Sequence, residues 1–202
     1  MSYTTVILTT KIYTRGGISR ENIFQEKKVL DIGCGQRKLS GAVGLDVLEN
    51  SQADIIHDVS KTPWPFEDNS FDVVFANHHL EHVSEPLVFL REAHRILRPK
   101  GRIVLQVPYF RFIDAFTDPT HRHFFTSQSL DYVIDGTKLA KYQYTNFRFR
   151  EIGFWYGWPI ASHNPFVRLF KWYIHRHPRF YDQYLSLFFP VPCLTWELEV
   201  IK

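Results

Sequence analysis

Apolar residues along this chain come in short runs that stop at a glycine or an acid. Val29-Leu30-Asp31-Ile32 leads into Gly33-Cys34-Gly35, Val43-Gly44-Leu45 ends on Asp46, and Asp54-Ile55-Ile56-His57 leads into Asp58. Two more runs are Asp72-Val73-Val74-Phe75-Ala76 and Arg102-Ile103-Val104-Leu105-Gln106-Val107. Short apolar runs bounded by turn residues read as strands covered on both faces. Strands are therefore predicted near 29–32, 43–46, 54–57, 72–76 and 102–107. Between the last two, Leu87, Leu90, Ala93, His94 and Leu97 recur at helical spacing and predict a helix over 86–97. Pro108 closes the fifth strand, because proline donates nothing to a central ladder. Ser127 is placed to cap a helix running to Ile134, and Asp135-Gly136 marks a turn.

The last third changes texture. Phe147 to Phe154 alternates loosely, while 195–200 alternates cleanly, with Trp196, Leu198 and Val200 on one face. These two strands predict an antiparallel pair. Hairpin loops commonly hold about 2–5 residues, so the stretch 157–193 is an insert. It carries Phe166, Phe170, Trp172, Tyr173, Phe180, Tyr181, Tyr184, Phe188 and Phe189, with Arg168, Lys171, Arg176 and Arg179 among them. Arg168, Lys171 and His175 share one helical face. The first expectation is a helical pair packed on the sheet edge. The others are an apolar wall over a substrate and a membrane-surface or dimer face. At the other end, 1–28 is a polar lead-in, read as a cap. No shift of composition divides the chain, so 1–202 is read as a single domain.

Gly33 and Gly35 at a strand's carboxyl end let a ligand approach the backbone. Asp46, ending the next strand, suits both hydroxyls of a ribose. Together they describe a nucleoside crevice. A dinucleotide fingerprint needs a third glycine and a helix aimed at a pyrophosphate. Here Lys38 stands at the third position, and only Gln36 to Val43 separate Gly35 from Gly44. Parallel crossovers need about a dozen residues or more, so the first crossover helix is expected to be absent or reduced to a turn.

The succession Leu30-Asp31-Ile32-Gly33-Cys34-Gly35, then Pro63-Trp64-Pro65-Phe66 with Asn69-Ser70-Phe71-Asp72, then Leu80-Glu81-His82, then Leu97-Arg98-Pro99-Lys100-Gly101 resembles the class I S-adenosylmethionine-dependent methyltransferases of the small-molecule type. The resemblance runs from Val29 to Val133. It implies an α/β fold: a doubly wound, mostly parallel, seven-stranded Rossmann-like sheet in the order 3-2-1-4-5-7-6 with a C-terminal antiparallel hairpin. It implies S-adenosyl-L-methionine as cofactor and a small-molecule methyl acceptor. By the same resemblance, Asp31, Gly33, Cys34 and Gly35 line the methionine end and Asp46 takes the ribose. Asp58 accepts from the adenine amino group, with the Val59 amide on a ring nitrogen, and Asn77 sits beside the methionine moiety. A non-catalytic methyltransferase-like nucleoside-binding or scaffold protein is the alternative, since the shortened crossover departs from the family pattern.

Composition narrows the partners. The formal net charge is +3, and the basic residues are scattered outside the insert, so no nucleic acid is expected. Two cysteines, Cys34 and Cys193, argue for a reduced cytoplasmic setting without a disulfide. No apolar run approaches the ~20 residues of a membrane span, which leaves peripheral membrane contact through the insert. Transfer from a sulfonium needs two molecules positioned and water excluded, not a nucleophilic side chain.

Two histidine stretches remain. His78-His79-Leu80-Glu81-His82 fits H-x-x-E-H, a zinc-peptidase pattern, but it begins at a strand end and the helix starts later, so that reading is set aside. Asp118-Pro119-Thr120-His121-Arg122-His123 follows the fifth strand, where an acceptor would lie. His121 and His123 with Asp118 are candidate catalytic residues, His121 as a general base. Metal binding and a purely structural loop are the other readings; no metal is expected on balance.

Overall fold

The computed structural model describes residues 12–14, 17–19, 24, 26–157 and 163–202. Of the predicted 1–28 cap, it describes an antiparallel hairpin of β1 (Ile12–Thr14) and β2 (Gly17–Ser19), with Ile12 opposite Ser19. Most of the remainder of that segment lies outside the described residues.

The main sheet is built from β3 (Val29–Ile32), β4 (Val43–Asp46), β5 (Ile55–Ile56), β6 (Phe71–Asn77), β7 (Leu97–Pro108), β8 (Arg148–Tyr156) and β9 (Cys193–Ile201). Their order is β5-β4-β3-β6-β7-β9-β8. All neighbours from β5 to β7 are parallel, and β9 runs antiparallel between β7 and β8. This is the predicted mixed α/β sheet. Between Gly35 and Val43 the chain makes only turns, as the short crossover requires.

The buried strands explain their own composition. All four residues of β3 are buried, and Leu30, Ile32, Val74, Ala76, Ile103 and Leu105 form the centre of the main core. In β9, Thr195 and Glu197 are buried as well as Trp196 and Leu198, because both sheet faces are covered. Glu197 is compensated by Arg102, 2.6 Å away. Helix α1 (Pro86–Ile96) begins with proline, whose missing N–H costs nothing in a first turn, and buries Phe89, Leu90, Glu92, Ala93 and Ile96. Leu87, expected on that buried face, is 37% exposed; the apolar stripe is rotated towards Phe89.

Two further expectations are corrected. No helix follows Ser127: residues 127–133 form turns. The Ser127 amide and hydroxyl instead donate to Asp182, at 3.0 and 2.7 Å. Asp182 also accepts from the hydroxyls of Tyr109 and Tyr156, each at 2.9 Å. This buried knot fastens the insert to the sheet. A short helix, α2 (Asp114–Thr117), lies between Tyr109 and Ser127 in the chain. The insert does contain a helical pair, α3 (Pro165–Arg176) and α4 (Pro178–Gln183). It is not mainly core: Ile174, His175 and Tyr181 are buried, but Phe166, Leu169, Trp172, Phe188 and Phe189 are exposed. Nor do Arg168, Lys171 and His175 share one environment, since Arg168 is exposed and His175 is buried.

Candidate functional site

The sheet order reverses at β3, which has β4 on one side and β6 on the other. Loops diverge at such a point and leave a crevice at the strand carboxyl ends. Gly33 and Gly35 turn the chain there with φ of 68° and 50°. The Gly33 amide donates to the Leu45 carbonyl at 2.8 Å, and the Gly35 amide donates to Oδ2 of Asp46 at 2.8 Å. Oδ1 of Asp46 accepts from the Leu48 amide at 2.9 Å. The acid at the end of β4 thus braces the glycine turn.

A cavity of about 340 Å³ opens beyond β4 and β5. Leu45, Asp46, Val47, His57, Asp58, Val59 and Ser60 line one side, and His79, His82, Val83, Ser84 and Arg122 line the other. Its size is within the usual range of small-molecule sites, about 300–1,000 Å³. A wider depression of about 740 Å³, between Leu87 and Arg91 of α1 and residues 143–148, holds none of the strand-end acids.

The structure brings Asp46, Asp58 and Val59 to one cavity. Asp58 also caps its own turn: Oδ1 accepts from the Ser60 amide at 2.9 Å, which holds its carboxyl below the usual range. Asp31 and Cys34 do not line that cavity. Asp31 is buried and accepts from the Leu39 amide at 2.7 Å; burial pushes its carboxyl up to about 6. Burial, with Asp31 and Asp46 nearby, pushes the Cys34 thiol up to about 11. Cys34 Sγ lies 3.0 Å from where a Cβ on Gly44 would stand.

Across the crevice, β6 ends at Asn77, one residue past the Ile32–Ala76 register pair and therefore level with Gly33. Asn77 Oδ1 and His79 Nε2 are buried without a hydrogen-bond partner. Burial lowers the basicity of His79 and favours the neutral ring. Its Nδ1 would stand 2.3 Å from a Cβ on Gly33.

The predicted trio Asp118, His121 and His123 does not converge. Oδ1 of Asp118 accepts from the amide and hydroxyl of Thr120, at 2.8 and 2.7 Å. His123 Nε2 meets the Val83 carbonyl at 2.9 Å. His121 goes elsewhere: it stacks edge-on against His82, ring centroids 4.7 Å apart, and its Nε2 is 4.0 Å from Oε1 of Glu81. Residues 78–84 form turns ahead of α1, so His78-His79-Leu80-Glu81-His82 is not a helical metal motif. His79, His82 and Arg122 line the cavity, although the sequence put forward the first two only within the H-x-x-E-H and Leu80-Glu81-His82 patterns and Arg122 only within the Asp118–His123 stretch. For the first two, their place directly after the fourth strand was the signal that they could face the crevice.

Comparison with known proteins bears on the fold that carries these residues. Residues 30–105 match the family model described as a methyltransferase domain. A demethylmenaquinone methyltransferase of Staphylococcus epidermidis is 32% identical over 117 residues, covering 46% of this chain and 48% of that protein. A protein of the same name from Staphylococcus haemolyticus is 36% identical over 100 residues, covering 38% and 41%. The chain thus spans about half the length of the relatives it matches. Among solved structures, a SAM-dependent methyltransferase from Archaeoglobus fulgidus superposes with a TM-score of 0.59 at 18% identity, covering 88% of each chain. An S-adenosylmethionine-dependent methyltransferase from Mesorhizobium loti gives 0.51 at 16% identity, covering 86% of this chain and 90% of that one.

Proposed function

We propose that this chain, a class I S-adenosylmethionine-dependent methyltransferase by its matched domain and its fold, transfers a methyl group to a small-molecule acceptor. The observation that carries the reading is the cavity at the switch point, with Asp46 ending β4 and Asp58 following β5 on one lip.

The residues present fit S-adenosylmethionine. Asp46 keeps acceptor capacity on both carboxylate oxygens beyond its two amide bonds, which suits two ribose hydroxyls. Asp58 and the Val59 amide serve the adenine. Asn77 Oδ1, an unpartnered buried acceptor level with Gly33, suits the methionine ammonium, and Asp31 lies below the same turn. When bound, the cofactor would supply an activated methyl for displacement from its sulfonium, and the acceptor's proton would leave to base or solvent. The protein's part is to align the two molecules and exclude water. His79 stands beside Gly33, and since burial lowers its basicity it would disfavour a second cation near a bound sulfonium.

Several relatives are named for a quinone substrate. The insert's exposed aromatics point the same way, towards an apolar acceptor met at a membrane surface. Among the described residues no helix is long and apolar enough to cross a membrane.

The test is calorimetry with S-adenosylmethionine and its demethylated product, followed by radiolabelled transfer to a panel of small acceptors that includes demethylated quinones. Binding with transfer supports the reading. Binding without transfer to any acceptor favours the non-catalytic nucleoside-binding alternative, and no binding sinks the methyltransferase reading and leaves the scaffold.

A further inference from the structure

Glu81, His82 and His121 come from a turn after β6 and from a loop some forty positions later, yet they meet. One ring nitrogen from each histidine and a Glu81 carboxylate oxygen all lie within 4.8 Å of one another. We propose that these three residues form a binding site for a divalent transition-metal ion of the zinc type. A further coordination position is left for a ligand in the cavity, which His82 lines. The site stands whether or not the chain transfers a methyl group.

Glu81 is the first argument. It is fully buried, and both its carboxylate oxygens are without a hydrogen-bond partner. Its near neighbours are imidazoles: His78 Nδ1 at 3.3 Å and His121 Nε2 at 4.0 Å from Oε1. A buried carboxylate normally collects hydrogen bonds or a cation. Glu81 has no hydrogen bond, and the ring nitrogens it faces, which pair with it as ions only when protonated, are themselves good ligands.

The second argument is how the histidines are held. His121 Nδ1 lies 2.9 Å from the Ala115 carbonyl. A carbonyl only accepts, so Nδ1 carries the proton and Nε2, the nitrogen facing Glu81, offers a lone pair. His82 Nδ1 lies 2.8 Å from the Thr120 hydroxyl. That hydroxyl gives its own proton to Asp118 at 2.7 Å, so it accepts from His82 Nδ1. The His82 Nε2 is again left with a lone pair. Metal-binding histidines are oriented in this way, their second nitrogen donating to a carbonyl or to a chain ending in a carboxylate. The Asp118-Pro119-Thr120-His121 stretch thereby acquires a role: it supplies one ligand and, through Thr120, orients another.

Chemistry narrows the ion. Two imidazoles and a carboxylate suit zinc or cobalt rather than magnesium or calcium, which prefer all-oxygen shells. Three protein ligands with an open position are the pattern of reactive rather than structural zinc sites. Zinc–ligand bonds of about 2.0–2.1 Å place tetrahedral ligands roughly 3.4 Å apart, so binding draws the three side chains inward. His78 stays outside as a partner for Glu81.

The experiment uses the whole chain, stripped with a chelator and dialysed. Zn²⁺ is titrated by calorimetry and Co²⁺ by visible absorption near neutral pH. One ion per chain is expected, with Co²⁺ bands of four- or five-coordinate intensity. Glu81→Gln, which keeps the shape and removes a buried charge, and His121→Ala should each abolish stoichiometric binding. Asp118→Asn should weaken it by about 10–100-fold, as loss of an orienting partner does. His177→Ala, on the insert, should bind like the wild type. No stoichiometric Zn²⁺ or Co²⁺ uptake by the wild type overturns the proposal, as does unchanged uptake by both Glu81→Gln and His121→Ala. S-adenosylmethionine binding measured on the same samples reports the methyltransferase reading separately.

Discussion

The amide of Gly35 donates to Oδ2 of Asp46 at 2.8 Å, so the glycine turn after β3 and the acid ending β4 form a single unit. A residue proposed to hold ribose also shapes the loop proposed to hold methionine. Asp46→Ala should therefore weaken S-adenosylmethionine binding by ~2–3 kcal/mol, the loss of hydrogen bonds to a charged group. Calorimetry checks it, and equal affinity in the variant would remove Asp46 from the site.

Gly33→Ala tests how closely the two lips of the crevice approach. The backbone at Gly33 has φ of 68°, and an added Cβ would lie 2.3 Å from His79 Nδ1. The left-handed backbone alone costs about 1–2 kcal/mol for a residue with a side chain, and His79 would have to move. We expect a lower Tm and a cofactor affinity at least tenfold weaker. His79→Ala combined with Gly33→Ala should recover part of the stability, because the clash is removed while the backbone strain stays.

Asp31 links stability to pH. Burial raises its carboxyl from 3.8 to about 6. A carboxyl raised on folding contributes stability that is full below its unfolded pKa and is lost as pH rises through the folded value. The wild type should lose stability from Asp31 between pH of about 4 and 6, and Asp31→Asn should not. At neutral pH the variant should be more stable by up to ~2–3 kcal/mol, because an amide oxygen can still accept from Leu39. If ionised Asp31 faces the methionine ammonium, wild-type affinity should rise with pH through about 6, and the variant should lose that rise. Chemical denaturation and calorimetry across this range decide both points.

The strands were legible because buried parallel strands are written as short, mainly apolar runs that stop at a glycine or an acid. Val29–Ile32 and Val43–Asp46 were placed to the residue. The missing first helix was legible from chain length alone. The Glu81–His82–His121 group was not, because His82 and His121 are joined only by the fold, and adjacent residues such as Glu81 and His82 converge only where the chain turns. Asp118, read as a partner of His121, proved to act on Thr120. Ser127 looked like a helix cap because serine's hydroxyl suits one; a distant acid, Asp182, claimed it instead. The insert misled for a general reason: aromatic residues at helical spacing look alike whether they face a core or solvent.

That exposed face supports the last prediction. Phe166 is 80% exposed, Phe188 76% and Trp172 57%, with Leu169 and Phe189 also open. Large contiguous apolar surface is rare on a protein with no use for it. Between Phe166 and Phe189 the sole acid is Asp182, and it is turned inward onto Tyr109, Tyr156 and Ser127. Arg168, Arg176 and Arg179 are on exposed positions of α3 and α4. Apolar aromatics bordered by arginine match an anionic lipid surface. Each basic residue near such a surface adds about 1 kcal/mol, and salt screens that part. The protein should co-float with vesicles containing phosphatidylserine at low salt and less at high salt. Phe166→Ser with Phe188→Ser should abolish flotation without lowering Tm, since neither side chain is buried. No flotation at either salt would leave this face to another partner, and flotation that survives both substitutions would move the contact elsewhere on the chain.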